Sequence, residues 1–153
     1  MHYGSGSVRY ELCPDWAQVP DGWSFIDIGG IAIDEDDNVY VLNRSELPVM
    51  VFDCTGRNLG HWGESLFKRA HGARLAPDGA IFCTDDGDHW AGKFSRSGEL
   101  QLTLGQPGVP ADTGYRRGWD VYQSTSTIHH GGPPFNRPTG VAVTPQGDIF
   151  VSD

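Results

Sequence analysis

One phrase occurs three times in this chain in the same register, and such an internal repeat constrains the fold more than any other feature. The copies run from Gly30 to Asn43 (GIAIDEDDNVYVLN), Gly72 to Asp85 (GARLAPDGAIFCTD) and Gly140 to Asp153 (GVAVTPQGDIFVSD). The match extends past the phrase. Phe52 and Phe94 lie 22 residues after the first two starting glycines, Gly56 and Gly98 lie 26 after, and Gly63 and Gly105 lie 33 after. The two units are therefore 42 residues apart, within the span of about 40–45 residues of a four-stranded propeller blade.

Each unit reads as four short strands. Ile31-Ala32-Ile33 is small and apolar, which suits an inner strand packed on both sides. Asp34 to Asn38 is turn chemistry, because Asp and Asn bond their own backbone and tolerate left-handed geometry. Val39 to Leu42 is β-branched and aromatic, Val49 to Phe52 follows Pro48, and Asn58 to Trp62 follows a turn at Asp53 to Gly56. The second unit repeats the turns at Ala76 to Gly79 and Ser95 to Gly98. No helical period is visible. The pattern predicts an all-β chain: a β-propeller of about two and a half blades of four-stranded antiparallel sheet, with a generic sandwich as the other all-β reading. Within one domain spanning 1–153, blade 1 covers about 28–63, blade 2 about 70–105 and the start of blade 3 138–153. An inserted loop at 106–137, rich in Gly, Pro, Ser and Thr, delays the third copy. Loops this long in a compact fold are functional or disordered. Propellers close with roughly 4–8 blades, so a site built around the axis is expected to be only partly supplied by these residues.

Composition narrows the function classes. The chain of 153 residues has a net charge of −9, which argues against a nucleic-acid backbone as partner, since that needs clustered Lys and Arg. Cys13, Cys54 and Cys83 are odd in number and lack disulfide-framework or metal-type spacing. Cys83 reads as a small buried hydrophobe. The N-terminus has no apolar signal region and no run approaches a membrane span, so a cytoplasmic protein with no membrane partner is expected.

In a propeller the innermost strands face a central channel, and residues at one repeat position form a ring about the axis. The position before the starting glycine holds Gly29, His71 and Thr139. His at that position on alternating blades of a six-bladed ring would give three imidazoles, a catalytic zinc arrangement with an open fourth position; a lone hydrogen-bonded histidine is the alternative. Arg44 follows the first phrase where Asp86 follows the second, so the fold does not demand it. Its guanidinium suits a substrate carboxylate, or a surface pair with Glu46 or a turn carboxylate. Asp85, Asp86, Asp88 and His89 resemble metal chemistry but lack the EF-hand spacing, so turn solvation is preferred. His129-His130 sit in the Gly-rich loop, where adjacent side chains point apart. There is no nucleophile elbow, phosphate-binding loop or paired zinc-type cysteine.

Three stretches carry a family resemblance: Gly30 to Arg44, Ala70-His71-Gly72, and Pro134 to Asp153 (PFNRPTGVAVTPQGDIFVSD). They are similar to NHL repeats, and within that group the chain from about Trp16 onward resembles the peptidyl-α-hydroxyglycine α-amidating lyases and their bacterial relatives. The resemblance implies a six-bladed propeller that cleaves a C-terminal α-hydroxyglycine peptide, or a small-molecule equivalent, into an amide and glyoxylate. It implies zinc held by three His from alternate blades and a structural calcium in the same channel. Carried over, His71 matches a zinc ligand, Arg44 matches the arginine that engages substrate, and Ile31 and Ala73 match positions whose backbone carbonyls bind calcium. The family's tyrosine base, in a Gly-Tyr-x-Asn stretch just past the position of Asp153, is not among these residues, nor are the other two zinc histidines or the calcium-binding Asp. Gly140 stands where the family has Asp. These residues alone are therefore expected to be inactive. The sequence leaves the oligomeric state open. A non-catalytic NHL propeller that binds a protein or peptide ligand is the alternative, and a calcium-dependent lactonase-type propeller is disfavoured by the axial His; zinc content separates these readings.

Overall fold

The computed structural model describes residues 2–153. A hairpin of β1 (His2–Ser5) and β2 (Val8–Glu11) comes first. Blade 1 is a four-stranded antiparallel meander of β3 (Gly30–Ile33), β4 (Val39–Leu42), β5 (Val49–Phe52) and β6 (Asn58–Trp62). Blade 2 repeats it with β7 (Ala70–Leu75), β8 (Ile81–Asp85), β9 (Trp90–Phe94) and β10 (Leu100–Gly105). A helix, α1 (Val121–Thr125), lies in the insertion, and the hairpin of β11 (Gly140–Val143) and β12 (Ile149–Ser152) begins blade 3. Every strand expected in the repeats is present at its expected place, because the turns between them are fixed by local chemistry. Gly56, Gly79, Gly98 and Gly147 all hold φ near +80 to +92°, the left-handed region a turn glycine serves.

The phrase begins with glycine because inner strands of neighbouring blades nearly touch. A Cβ on Gly30 would sit 2.4 Å from the Ala73 nitrogen, and one on Gly72 would sit 2.4 Å from the Thr139 carbonyl oxygen. Beyond these glycines, larger side chains fill the space between blades 1 and 2. Ala32, Tyr40, Leu42, Val49 and Trp62 of blade 1 form one buried cluster with Ala70, Ile81, Cys83, Trp90 and Phe94 of blade 2. Trp62 and Phe94 pack with ring centroids 5.1 Å apart, an aromatic contact that adds to area burial. Burial pushes the Cys83 thiol pKa well up, as expected of an inert core thiol. At the rim formed by the first turns, Arg96 of blade 2 meets Asp34, Glu35 and Asp36 of blade 1.

Two features depart from the sequence reading. The first inner strand is packed on one side only: Ala32 is buried against blade 2, whereas Ile31 and Ile33 are 55% and 54% exposed. Alternation along a strand sends these isoleucines to the face away from blade 2. The second departure is α1, where no helix was expected. Five residues are too few to show a period; the helix is held by its cap, Asp120, whose carboxylate accepts from the Gln123 N–H at 2.8 Å.

The far face of blade 1 is partly covered by residues 16–25. Trp16, Ala17, Val19, Trp23 and Phe25 pack against the buried Val41, Met50 and Phe52. The Gln18 N–H donates to the Gly56 carbonyl at 2.8 Å, and the Trp16 indole donates to the Cys54 carbonyl at 3.1 Å. This strap was not legible in the sequence, since it has neither strand nor helix periodicity.

Candidate functional site

His71 sits at a break in the β7–β8 ladder. Ala70 pairs with Asp85 and Gly72 with Thr84, so His71 is the extra residue of a β-bulge. Bulges leave one residue outside the alternation and re-aim its side chain. The buried Thr84 hydroxyl supports this one by accepting the Gly72 N–H at 2.9 Å. The His71 ring then reaches blade 3, where Nδ1 lies 3.2 Å from the Thr139 carbonyl oxygen. A carbonyl only accepts, so Nδ1 is the donor in that bond and the neutral ring keeps the lone pair on Nε2. A histidine that gives one N–H to a backbone carbonyl is the usual second-shell arrangement of a metal ligand.

Arg44 occupies the position after the first phrase. Its Nε donates to the Ala70 carbonyl at 3.1 Å and its Nη1 to Asp27 at 3.1 Å. Arg44 thus joins blade 1 to the strand residue that precedes His71, and it pairs with Asp27 rather than Glu46. In blade 2 the same two repeat positions carry the opposite charges. Asp86 follows the phrase, and Arg69 stands where blade 1 has Asp27. The 4% exposed Asp86 carboxylate accepts from Arg69, just ahead of β7, and, at 2.8 Å, from Arg137 at the end of the insertion. The Arg137 guanidinium also donates to the Tyr115 hydroxyl at 2.9 Å and lies 5.6 Å from the centre of that ring.

The last residue of each phrase proves to be a clamp. Asp85, fully buried, accepts the backbone N–H groups of Lys68, Arg69, Gly87 and Asp88. Asp153 accepts those of Asn136 and Arg137 at 2.8 and 2.6 Å, and the Asn43 amide oxygen accepts the N–H of Ile26, ahead of β3, at 3.5 Å and that of Ser45 at 2.9 Å. The clamp fixes the segment that leads into each inner strand and so sets the approach to His71. Turn solvation was the expectation for Asp85; the clamp replaces it, because a buried carboxylate needs several donors. The Asp or Asn recurring at the phrase end was the available signal. His89 is tied to the insertion through the Asn136 carbonyl, and Asp88 faces Lys68. His130 Nδ1 bonds the Gly131 carbonyl at 2.9 Å.

Among the described residues no group of three or more His, Cys, Asp and Glu side chains is placed to hold a metal ion. His71 belongs to no such group. Ile31 and Ala73, the calcium candidates, occupy equivalent places on the adjacent inner strands β3 and β7.

The insertion roofs this end of blades 2 and 3. Its base is closed by the Ala111 N–H to the Phe135 carbonyl and by the Asn136 amide to the Ala111 carbonyl, both 2.8 Å. Beneath it lies a cavity of about 930 Å³ whose wall includes His71, Arg137, Tyr115, Arg117 and Trp119. Arg44 lies outside it, on a separate cleft of about 40 Å³.

Comparison with known proteins agrees with this architecture. Residues 135–153 match the NHL repeat. Over 103 residues the chain is 32% identical to peptidyl-alpha-hydroxyglycine alpha-amidating lyase 1 of Drosophila melanogaster, a match that covers 65% of this chain and 16% of that protein. Among solved structures, a streptogramin B lyase is similar with a TM-score of 0.56 and 20% identity, covering 85% of this chain and 36% of the other. Virginiamycin B lyase from Staphylococcus aureus is similar with a TM-score of 0.54 and 14% identity, covering 82% and 34%. At such identities the structural likeness speaks for the fold alone. The chain is thus an NHL-repeat-bearing, propeller-type β protein, similar in sequence to an amidating lyase. It spans about a sixth of that relative's length.

Proposed function

We propose that this chain contributes blades to a zinc-dependent lyase of the amidating-lyase type, acting on a C-terminal α-hydroxyglycine to give an amide and glyoxylate. The observation that carries the proposal is the setting of His71, on the bulge of β7 with Nδ1 bonded to the Thr139 carbonyl; in the neutral ring this leaves the Nε2 lone pair for a metal. The similarity to an amidating lyase supports the same reading.

Zinc, when bound, supplies a Lewis acid that polarises an oxygen of the substrate. His71 would be one of its protein ligands, and the Thr139 carbonyl holds the ring in the tautomer that binding needs. Thr84 and Gly72 fix the bulge. Arg44 holds the Ala70 carbonyl and with it the strand that presents His71; the substrate contact implied for Arg44 would fall to the guanidinium edge not engaged with Asp27 and Ala70. The carbonyls of Ile31 and Ala73 are the proposed contribution to a structural calcium. The proton acceptor and remaining ligands lie outside these residues.

The test uses the full-length product of the gene that encodes this chain. Metal analysis is expected to find stoichiometric zinc that His71→Ala loses, and the parent protein is expected to release glyoxylate from an N-acyl-α-hydroxyglycine. A folded full-length protein without zinc sinks the lyase reading and leaves a peptide-binding NHL propeller.

A further inference from the structure

The cavity under the insertion contains one charged side chain that no other described group engages. Most charged groups in its wall are already committed. Arg69 and Arg137 share the Asp86 carboxylate. Asp153 is held by the backbone N–H groups of Asn136 and Arg137. Asp120 caps α1 by accepting the Gln123 N–H. Arg117 also lines the cavity, is exposed, and has no ion pair or hydrogen-bond partner for its side chain among the described residues. Arg117 is therefore the charged side chain of this wall that is free to meet a ligand.

Beside it the wall is apolar and open. Trp119, Val121 and Ile128 line the cavity while 83%, 66% and 45% exposed. An exposed indole and an unpaired guanidinium in the wall of one cavity suit a flat or extended apolar body that carries one carboxylate, because Arg is a good carboxylate donor and the aromatic surface contributes area. The insertion is ordered by its own bonds, from the Arg116 N–H to the Thr127 hydroxyl at 2.7 Å and from the Gly118 N–H to the Ser124 hydroxyl at 2.9 Å. The pair is thus presented on a built surface.

We infer that the insertion forms a binding site for an apolar or aromatic carboxylic acid, with Arg117 as the anion contact and Trp119 as the apolar platform. His71 lines the same cavity and Arg44 does not. On the lyase reading, on which this last step rests, the site receives the acyl side of the substrate and selects one bearing an acidic group. Binding itself does not depend on that reading.

The experiment uses the same full-length product, with 3-phenylpropanoate as probe and 3-phenylpropanamide as its neutral counterpart, followed by calorimetry and tryptophan fluorescence. The carboxylate is expected to bind saturably and at least about tenfold more tightly than the amide, since a hydrogen bond to a charged group contributes about 1.5–3 kcal/mol. Arg117→Ala is expected to erase that preference and Arg117→Lys to restore part of it. Trp119→Ala should weaken both ligands alike, and Arg57→Ala, at an exposed arginine outside the cavity, should leave both unchanged. Arg117 and Trp119 are exposed, so unaltered circular dichroism and Tm will show that these variants fold. The inference is overturned if the carboxylate does not bind saturably, binds no better than the amide, or keeps its preference over the amide in Arg117→Ala. A full-length protein that lacks zinc yet keeps the Arg117-dependent preference refutes the lyase reading and spares the site.

Discussion

Blades 1 and 2 have the same strands in the same register, yet they differ where they meet their neighbours. In blade 1 the pair flanking the inner hairpin is Asp27 with Arg44; in blade 2 it is Arg69 with Asp86. In blade 1 the inner ladder is regular from Gly30 paired with Leu42; in blade 2 it opens into the bulge that displays His71. The residue facing that step is Leu42 in one blade and Thr84 in the other. A leucine packs; a threonine at that site accepts the glycine N–H that the bulge frees. The difference teaches that the scaffold is set by landmarks shared between blades, and the site by the few positions where the blades disagree.

The largest test of this comparison is in the cores. Phe52 and Phe94 hold the same repeat position and are both fully buried, but Phe94 packs between the blades and Phe52 packs under the strap. Either change to Ala is expected to cost about 4 kcal/mol, read as a fall in Tm. The consequences should differ in place: Phe94→Ala loosens blade 1 from blade 2, whereas Phe52→Ala exposes residues 16–25 to limited proteolysis. A strap as protease-resistant in Phe52→Ala as in the parent would break the comparison.

The next effect is at the reversed pair. Asp86→Ala removes the shared acceptor of two arginines and is expected to destabilise by about 2 kcal/mol. Arg44→Ala, whose partner Asp27 is 71% exposed, is expected to cost no more than about 1 kcal/mol. Equal losses in denaturant titrations would show that the two pairs are equivalent after all. Smaller again is Thr84→Val, which keeps the shape and removes the hydroxyl under the bulge. On the proposed zinc role of His71, the affinity of the full-length protein for zinc is expected to fall about tenfold; an unchanged affinity would remove Thr84 from the support of His71.

The smallest effect is in the first turns, where blade 1 has Asp34 and blade 2 has Ala76. Burial alone would raise the Asp34 pKa, but hydrogen bonds from Asn38, from the Tyr40 hydroxyl and from the Asp36 N–H outweigh it and hold it below the usual carboxylate value. Burial, reinforced by the same bond, pushes the Tyr40 hydroxyl up to about 12. A carboxylate whose pKa is lowered by folding stabilises above its unfolded pKa of about 3.9, and that stability is lost as the pH falls through the lower folded value. Asp34→Ala is therefore expected to flatten the decline of Tm below about pH 4, while Ala76→Ser leaves it as steep as in the parent.

The strands and turns of the repeats were legible because each is set by short-range chemistry written twice or three times over. His71 stood out as the one side chain with ligand chemistry at its ring position, although nothing in the sequence displayed the bulge or the Thr139 contact that orient it. The strap, the insertion's roof and the Asp85 clamp were hidden for one shared reason: each depends on contacts between residues far apart in the chain, such as Trp16 with Cys54, Ala111 with Phe135 and Lys68 with Asp85. Asp85 looked like turn chemistry because its neighbours in sequence are acidic, while its partners in space are backbone amides.

His71 belongs to one blade by covalent chain and to the next by its Nδ1 proton. Orientation of the ring and docking of blade 3 are therefore two readings of a single equilibrium. Any ion that binds Nε2 and prefers the ring as Thr139 holds it must tighten the seam between the blades, and by reciprocity a tighter seam raises the affinity for that ion by the same factor. The imidazole then works as a gauge of assembly, its affinity reporting how well two neighbouring blades have come together.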